Sequence, residues 1–590
     1  MKNLAWLISV FCFFSSISLT AKDNVDYIVI GVGTAGATIS KLLTDDMRTS
    51  VLAINIGENL NQDPDIKYSQ NGIVAVVSTL LGDSTFSQVG LTPPQSHADN
   101  RELPWAIAIP EGGASSINAG AWARGTDQLY AQWELIAGPE WSLARINEIY
   151  KNLENYKGTT TNPATRGTHG PVDIRQVPNP TKFQRVFSEA EVTATGFPLV
   201  VDYNDPATPI GVSLDMQVTQ SGPDGKFRVS SATAFLNENI VTSSGKGVGG
   251  RKLEVKNQST ALRAIWKGNK AVGVEFYSDG KIKKAYASKG VIVCAGLYSS
   301  AFLMHSGIGP KNDLEALGIH LKYDNPNVGV LADQTIVATV FLTDPKDTPI
   351  EGSSCGALPS GIRIDLSDPL TLLGIPGFMD LSYKEQLTSF LFCNGSQLPG
   401  NSIFSQIAWF PAPAGNPTLR KVRIATVNPI PGIAFALLDL VQPLSRGRIT
   451  LKSFNPFEPP LVSSGMLSNP DDLDLYVQAL QIYLKNINIV LKSMDEKYQL
   501  LFPPEEILDD VNQIAEFVKE VIVPCQCWQS HCRMAPLNQG GVVNSLGKVY
   551  GVENLYVADN SINPVPMDGT TMATGYLVAT NIARLLLQQH

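Results

Sequence analysis

The chain has 590 residues, with 45 basic and 54 acidic side chains and a formal net charge of -9. That length can bury a large core and favours two interleaved domains. No block of like charge forms a polybasic footprint, so nucleic acid is excluded as an expected partner.

Residues 1–21 carry Lys2, an apolar run from Leu4 to Phe14 and small residues ending near Ala21. This is the pattern of a signal peptide, and its apolar core is shorter than the ~20 residues of a spanning helix. A secreted or extracytoplasmic protein is therefore expected, with no transmembrane segment in the mature chain. Of the seven cysteines, Cys12 leaves with the signal and six remain. Cys355 with Cys393 is a candidate disulfide, although connectivity cannot be read from sequence. The triplets at Asn257 and Asn394 fit glycan acceptors.

The stretch DYIVIGVGTAGATISKLL, Asp26 to Leu43, reads as a strand, a glycine turn and a helix. Gly31, Gly33 and Gly36 form G-x-G-x-x-G, with Thr34 and Ala35 between the last two. The first glycine permits the tight turn, the second lets backbone approach a pyrophosphate, and the third lets helix pack on strand. The spacing predicts a bound dinucleotide. The second strand should end in an acid for the ribose, about 20 residues on. Asn55 stands there instead, and its amide offers a weaker bond than a carboxylate. Glu58 is the nearest acid.

Further along, strands alternate with helices, which argues an α/β core. A strand meander is predicted from Arg251 to Gly296, with turns at KGNK and SDGK. The proline-rich block from 330 to 525 holds a strand candidate, SRGRITLKS, and a helix candidate, PDDLDLYVQALQIYLKNINIVLKSM. It reads as a lobe inserted into the nucleotide domain. Trp409 and Phe410 fit either an apolar pocket or core. CQCWQSHC offers three thiols and an imidazole, but not at zinc-knuckle spacing, so no metal is expected. The chain ends in a short strand, GVENLYVADN, and an amphipathic helix, TMATGYLVATNIARLLLQQ.

EGGASSINAGAWARGT, Glu111 to Thr126, resembles the first signature of the glucose-methanol-choline (GMC) oxidoreductases, a flavin family. GLYSSAFLMHSGIGP, Gly296 to Pro310, is similar to the second signature. LVQPLSRGRITLKSFNPFEPPLVSSGML, NPDDLDLY and the tail from His531 to Leu586 resemble its later blocks. The resemblance implies an α/β fold with FAD as cofactor: a Rossmann-like FAD-binding domain (22–155, 222–325 and 530–590) and an inserted α+β substrate domain (156–221 and 326–529). It also implies flavin contacts at Gly112, Gly113, Ser115 and Asn118, with Arg124 and Gly125 closing the motif. Asp559 and Asn560 match a strand end near the flavin, Ala261 an adenine-side contact, and Thr570 and Thr571 the last cofactor loop. Asp559 also reads as a capping aspartate.

In that family an alcohol gives its proton to a histidine while hydride passes to the flavin, and a second histidine or asparagine assists. Cys532, Arg533 and Met534 end a motif similar to H-x-x-G-T-C-R-M. An ungapped count puts Cys527 at the histidine, Ser530 and His531 at the glycine and threonine, and Thr570 at the second catalytic position. His531 reaches the expected point over a helical turn, ~6 Å, but not over an extended strand, ~13 Å. A neutral imidazole has the pKa of a base; Cys527 is a poorer base unless thiolate; Thr570 can only position. The alternative is that His531 is a satisfied loop histidine and Cys527 a small buried residue. Trp528 either walls a pocket or packs the core. The expected function is FAD-dependent oxidation of an alcohol CH–OH group, the substrate being small and uncharged because the lobe lacks clustered charge. A non-redox lyase resembling mandelonitrile lyases, or a flavoprotein without turnover, are the alternatives. Oligomeric state and electron acceptor are not legible.

Overall fold

The computed structural model describes residues 24–68, 85–177, 180–344, 404–413, 420–430 and 432–589. The signal segment, Cys355, Cys393 and Asn394 lie outside the described residues.

The strand Val25–Ile30 is the centre of the first sheet, paired in parallel with Val51–Ile54 on one side and with Lys281–Val293 on the other. Leu253–Lys256 extends the sheet beyond Val51–Ile54, and Leu555–Val557 pairs in parallel with Val291 to Val293. Parallel strands covered on both faces read as continuous apolar runs, which is why the Ile28 and Val29 side chains are both fully buried. Thr260–Lys267, Lys270–Ser278 and Lys281–Val293 form the antiparallel meander, turning at Gly268 and Gly280 with φ +59 and +74.

The helix Thr34–Leu43 leaves the first strand and packs against Met572–Gln588, the last helix. Small residues make this approach close: a Cβ added at Gly575 would lie 3.3 Å from Thr34 Cγ2. Both ends of the chain thus meet over the glycine turn. Among the described residues, no helix is long and apolar enough to cross a membrane.

A second, antiparallel sheet runs in the order Gln499–Phe502, Thr335–Leu342, Ile433–Leu440, Val422–Ile430, Phe404–Phe410 and Gly211–Ser213. The helix Lys182–Thr195 packs on Lys485–Met494, and the two share a core with Phe341 and Tyr498. The long helix predicted from Pro470 is present, capped by Asn469, whose side chain accepts from Asp471 N. It passes through a π turn at Ala479–Leu484 before continuing to Met494. Trp409 and Phe410 are both 0 % exposed, and so belong to the core of this lobe rather than to a pocket. Arg423 and Arg420 lie over the Trp409 ring at 5.8 and 4.5 Å.

Candidate functional site

Three glycines set the shape of the N-terminal turn. Gly31 has φ +85, and a Cβ there would lie 2.5 Å from Cys294 O; one at Gly36 would lie 1.8 Å from Gly31 O. Gly33 is different. It has φ −79, and the nearest atom to an added Cβ is Gly113 Cα at 3.6 Å. Its face opens into a cavity of about 350 Å³ that Gly31, Thr34 and Ala35 also line. The loop carrying Gly112 and Gly113 crosses the turn here, held by Gly112 N donating to Val32 O at 2.8 Å.

Asn55, Ala261, Gly113, Asp559, Asn560 and Thr571 line the same cavity. Asn55 Oδ1 accepts from Val32 N at 3.2 Å, while Nδ2 donates to Gly57 O and Ile109 O, each at 3.3 Å. A carboxylate could not make the last two bonds, which accounts for an amide where an acid is expected. Asp559 accepts from Gly296 N at 2.9 Å, Ser299 Oγ at 2.6 Å and Ser561 N at 2.9 Å. Its carboxylate therefore ties the C-terminal segment to the loop after Val293, and burial raises its pKa.

The cavity fits FAD on its own terms. The helix Thr34–Leu43 has no acidic residue in its first turn, and its free amides face the open side of Gly33, as a pyrophosphate requires. Asn560 Oδ1, Trp528 Nε1 and the Tyr298 hydroxyl are buried without a partner among the described residues, and all three side chains belong to cavity-lining residues.

Residues 25–331 match the N-terminal model of the GMC oxidoreductases and residues 443–579 the C-terminal one. The chain belongs to the GMC oxidoreductase family. A GMC-type oxidoreductase of Mycobacterium tuberculosis is 28% identical over 95% of this chain and 99% of its own. An alcohol dehydrogenase [acceptor] of Pseudomonas putida is 27% identical over 96% of each. Among solved structures, a pyridoxine 4-oxidase from Mesorbium loti superposes with TM-score 0.76 at 21% identity, over 96% of this chain and 100% of that one. As a GMC oxidoreductase the protein takes FAD as cofactor and oxidises CH–OH groups. Gly33, Thr34 and Ala35 would hold the pyrophosphate through backbone amides, and Asn55 keeps an Oδ1 lone pair free for a ribose hydroxyl.

Several residues expected to touch the flavin of this GMC oxidoreductase frame the cavity without lining it. Gly36 packs helix on strand. Gly112 and Ser115 build the crossing loop, Ser115 Oγ donating to Gly112 O at 2.6 Å and accepting from Ser231 N at 3.0 Å. Asn118 Oδ1 accepts from Gly120 N at 3.0 Å and from Arg228 Nη1 at 3.3 Å. Thr570 Oγ1 donates to Ala121 O at 3.2 Å. Arg124 closes the motif by pairing with buried Glu154, away from the cavity. Asn257 Nδ2 donates to Glu111 Oε1 at 2.5 Å, a bond that a glycan on that nitrogen would disrupt.

Neither candidate base lines the cavity itself; the two differ in exposure and in their neighbours. His531 is fully buried and does not line the cavity; its Nδ1 lies 3.0 Å from Ser300 Oγ, and Nε2 has no partner among the described residues. Ser530, at φ +67, breaks the extended path just before it. The stand-in role weighed for His531 is corrected accordingly: the ring is a buried side chain behind the wall. Cys527 is partly exposed, and its N donates to Asp333 Oδ1 at 2.7 Å. Its thiol lies near the Thr571 side chain, and Thr571 is on the wall. The Cys525 thiol, 3.3 Å away, lowers the Cys527 pKa, and Arg423 acts in the same direction against burial and the Asp439 carboxylate, which raise it. Trp528 does wall the cavity. Gln529 is structural, its Oε1 accepting from Asn563 Nδ2 at 3.1 Å and Met567 N at 3.0 Å.

Sequence reasoning missed Gln526, Tyr298, Phe302 and His305, all lining residues. Phe302 and His305 are three apart on the helix Ser299–His305, so helical spacing within the second signature was the available signal.

Burial pushes the His531 pKa down to about 3 from 6.5. The unfolded chain therefore binds a proton that the fold refuses. Stability from this residue is complete above pH 6.5 and should fall by about 1.4 kcal/mol per unit below it, until about pH 3. Denaturant midpoints measured across that range should show a flatter acid limb in His531→Asn, which keeps a polar group beside Ser300. An identical slope in the two proteins would show that another group carries the acid sensitivity.

Proposed function

We propose that this GMC oxidoreductase acts on small uncharged alcohols and that Cys527 receives the hydroxyl proton. Bound FAD supplies the hydride acceptor. The chain's own residues do the rest: the glycine turn anchors the pyrophosphate, Gln526, Trp528 and Thr571 enclose the cavity beside Cys527, and the sulfur takes the proton. A thiolate can do so because its pKa is lowered towards the working pH, where a general base is most efficient.

The observation that carries this reading is the partly exposed thiol of Cys527, between wall residues Gln526 and Trp528, set against the complete burial of His531. Neutrality of the substrate is supported by Gln526, Trp528, Thr571 and Ala106, which are uncharged; of the lining carboxylates, Asp559 is already held by Gly296, Ser299 and Ser561, and Glu458 by Ser453. Export is supported by the N-terminal signal pattern and would place the reaction outside the cytoplasm.

Purified protein should be yellow, and a neutral alcohol from an aliphatic and aromatic panel should bleach it in the absence of oxygen. Choline should bleach it far more slowly. A colourless protein that takes up no FAD would end the flavoenzyme reading. A yellow protein that no alcohol bleaches would leave carbon–carbon cleavage or cofactor binding without turnover.

A further inference from the structure

Cys525 and Cys527 are separated by one residue, and their sulfurs stand 3.3 Å apart. Residues two apart on an extended strand are spaced by about 6.6 Å. Here Gln526 takes φ +61 and folds the chain so that the two thiols meet. Three bonds hold that fold. Cys525 N donates to Gln334 O at 2.8 Å, Cys527 N to Asp333 Oδ1 at 2.7 Å, and Ala106 N to Gln526 Oε1 at 2.8 Å. Asp333 and Gln334 belong to the inserted lobe and Ala106 to the cavity wall, so both lobes fix the pair.

The two thiols are unequal. Cys525 Sγ donates to Asp439 Oδ2 at 4.0 Å, which favours its protonated form, while the neighbouring thiol favours thiolate at Cys527. One sulfur is set up as nucleophile and the other as the protonated partner that resolves it. Both are partly exposed, whereas Cys294 and Cys532 are buried and their pKa values are raised by burial.

We propose that Cys525 and Cys527 form a redox-active pair, closed into a disulfide by a hydroperoxide. The Cys527 thiolate attacks the terminal peroxide oxygen, the O–O bond breaks, and the departing oxygen takes a proton. Cys527 is then a sulfenic acid. The Cys525 sulfur attacks that sulfur, the S–O bond breaks, and the hydroxyl leaves with the Cys525 proton as water. Two thiols have lost two electrons and two hydrogens, and hydrogen peroxide has become two waters. A small dithiol reverses the bond. Closure would also remove the thiolate beside Thr571 and stop alcohol oxidation, a consequence that rests on the proton-accepting role of Cys527. Bond formation does not.

The holoenzyme is treated with a small excess of hydrogen peroxide, denatured, alkylated and digested for mass analysis. The peptide carrying Cys525 and Cys527 should bear no alkyl group and be lighter by two hydrogens than the dithiol form, with Cys294 and Cys532 alkylated. Dithiothreitol before alkylation should restore both alkyl groups. In Cys525→Ser the same treatment should instead drive Cys527 to a sulfinic acid that dithiothreitol does not reverse. An alkylated pair, a sulfinic Cys527 in the unsubstituted protein, or Cys527 joined to any other cysteine would overturn the proposal. A disulfide that forms while alcohol still bleaches the flavin would keep the pair and remove Cys527 from proton transfer.

Discussion

Cys527→Ala is expected to slow reduction of the bound flavin by an alcohol by about 10²- to 10⁴-fold, the usual worth of a positioned acid or base. The protein should stay yellow. The substitution leaves the backbone bond from residue 527 to Asp333 in place, and Gly33, Thr34 and Ala35 are untouched. In the unsubstituted enzyme the reduction rate should rise with pH as the thiol ionises, through a window below its ordinary value of 9.0, because the folded environment lowers the pKa. The alanine protein should lose that limb. Cys527→His places at this point the imidazole implied by the family motif that ends in Cys532, Arg533 and Met534. It should recover activity above pH ~6.5, where an unperturbed ring is neutral. Anaerobic stopped-flow reduction measures all three. A Cys527→Ala protein reduced as fast as its parent would hand the proton to solvent and withdraw the thiol from the mechanism.

What could be read from the residues follows the range of the forces involved. The glycine turn was legible because its constraints are local: Gly31 must turn, Gly36 must let helix meet strand, and neither depends on distant partners. The meander was legible from its two turns. Asn55 could be placed but not explained, since the carbonyls that require an amide belong to Gly57 and Ile109, and Ile109 is far along the chain. Trp409 and Phe410 show the limit of composition. An apolar aromatic pair suits a pocket wall and a core equally, and only the packing of the second sheet decided for core. His531 turned on the backbone at Ser530, whose positive φ no propensity for serine foretells. The meeting of Cys525 with Cys527 likewise depends on Gln526 being held by Ala106, a residue more than 400 positions away.

Gly36→Ala and Gly33→Val are expected to fail in different ways, and the difference tests the division of labour within the turn. At Gly36 the added carbon would sit 1.8 Å from Gly31 O and 2.8 Å from Gly31 C, both backbone atoms of the same tight turn. Neither can rotate away. Relief requires moving the helix Thr34–Leu43 off the first strand and off the C-terminal helix, so a loss of about 3 kcal/mol or more of stability is expected. At Gly33 the backbone is extended and the added carbon meets only Gly113 Cα at 3.6 Å, so the fold should stand. The valine side chain would instead fill the space in front of the helix amides that the pyrophosphate needs, weakening FAD by at least about a hundredfold, near 2.8 kcal/mol. Thermal unfolding with and without added FAD separates the outcomes. Gly33→Val should unfold where the cofactor-free parent does and remain colourless, whereas Gly36→Ala should unfold well below it. A yellow Gly33→Val protein would move the pyrophosphate away from this turn. A Gly36→Ala protein as stable as its parent would show that the helix can shift, and that the third glycine of the motif is not set by contact with the first.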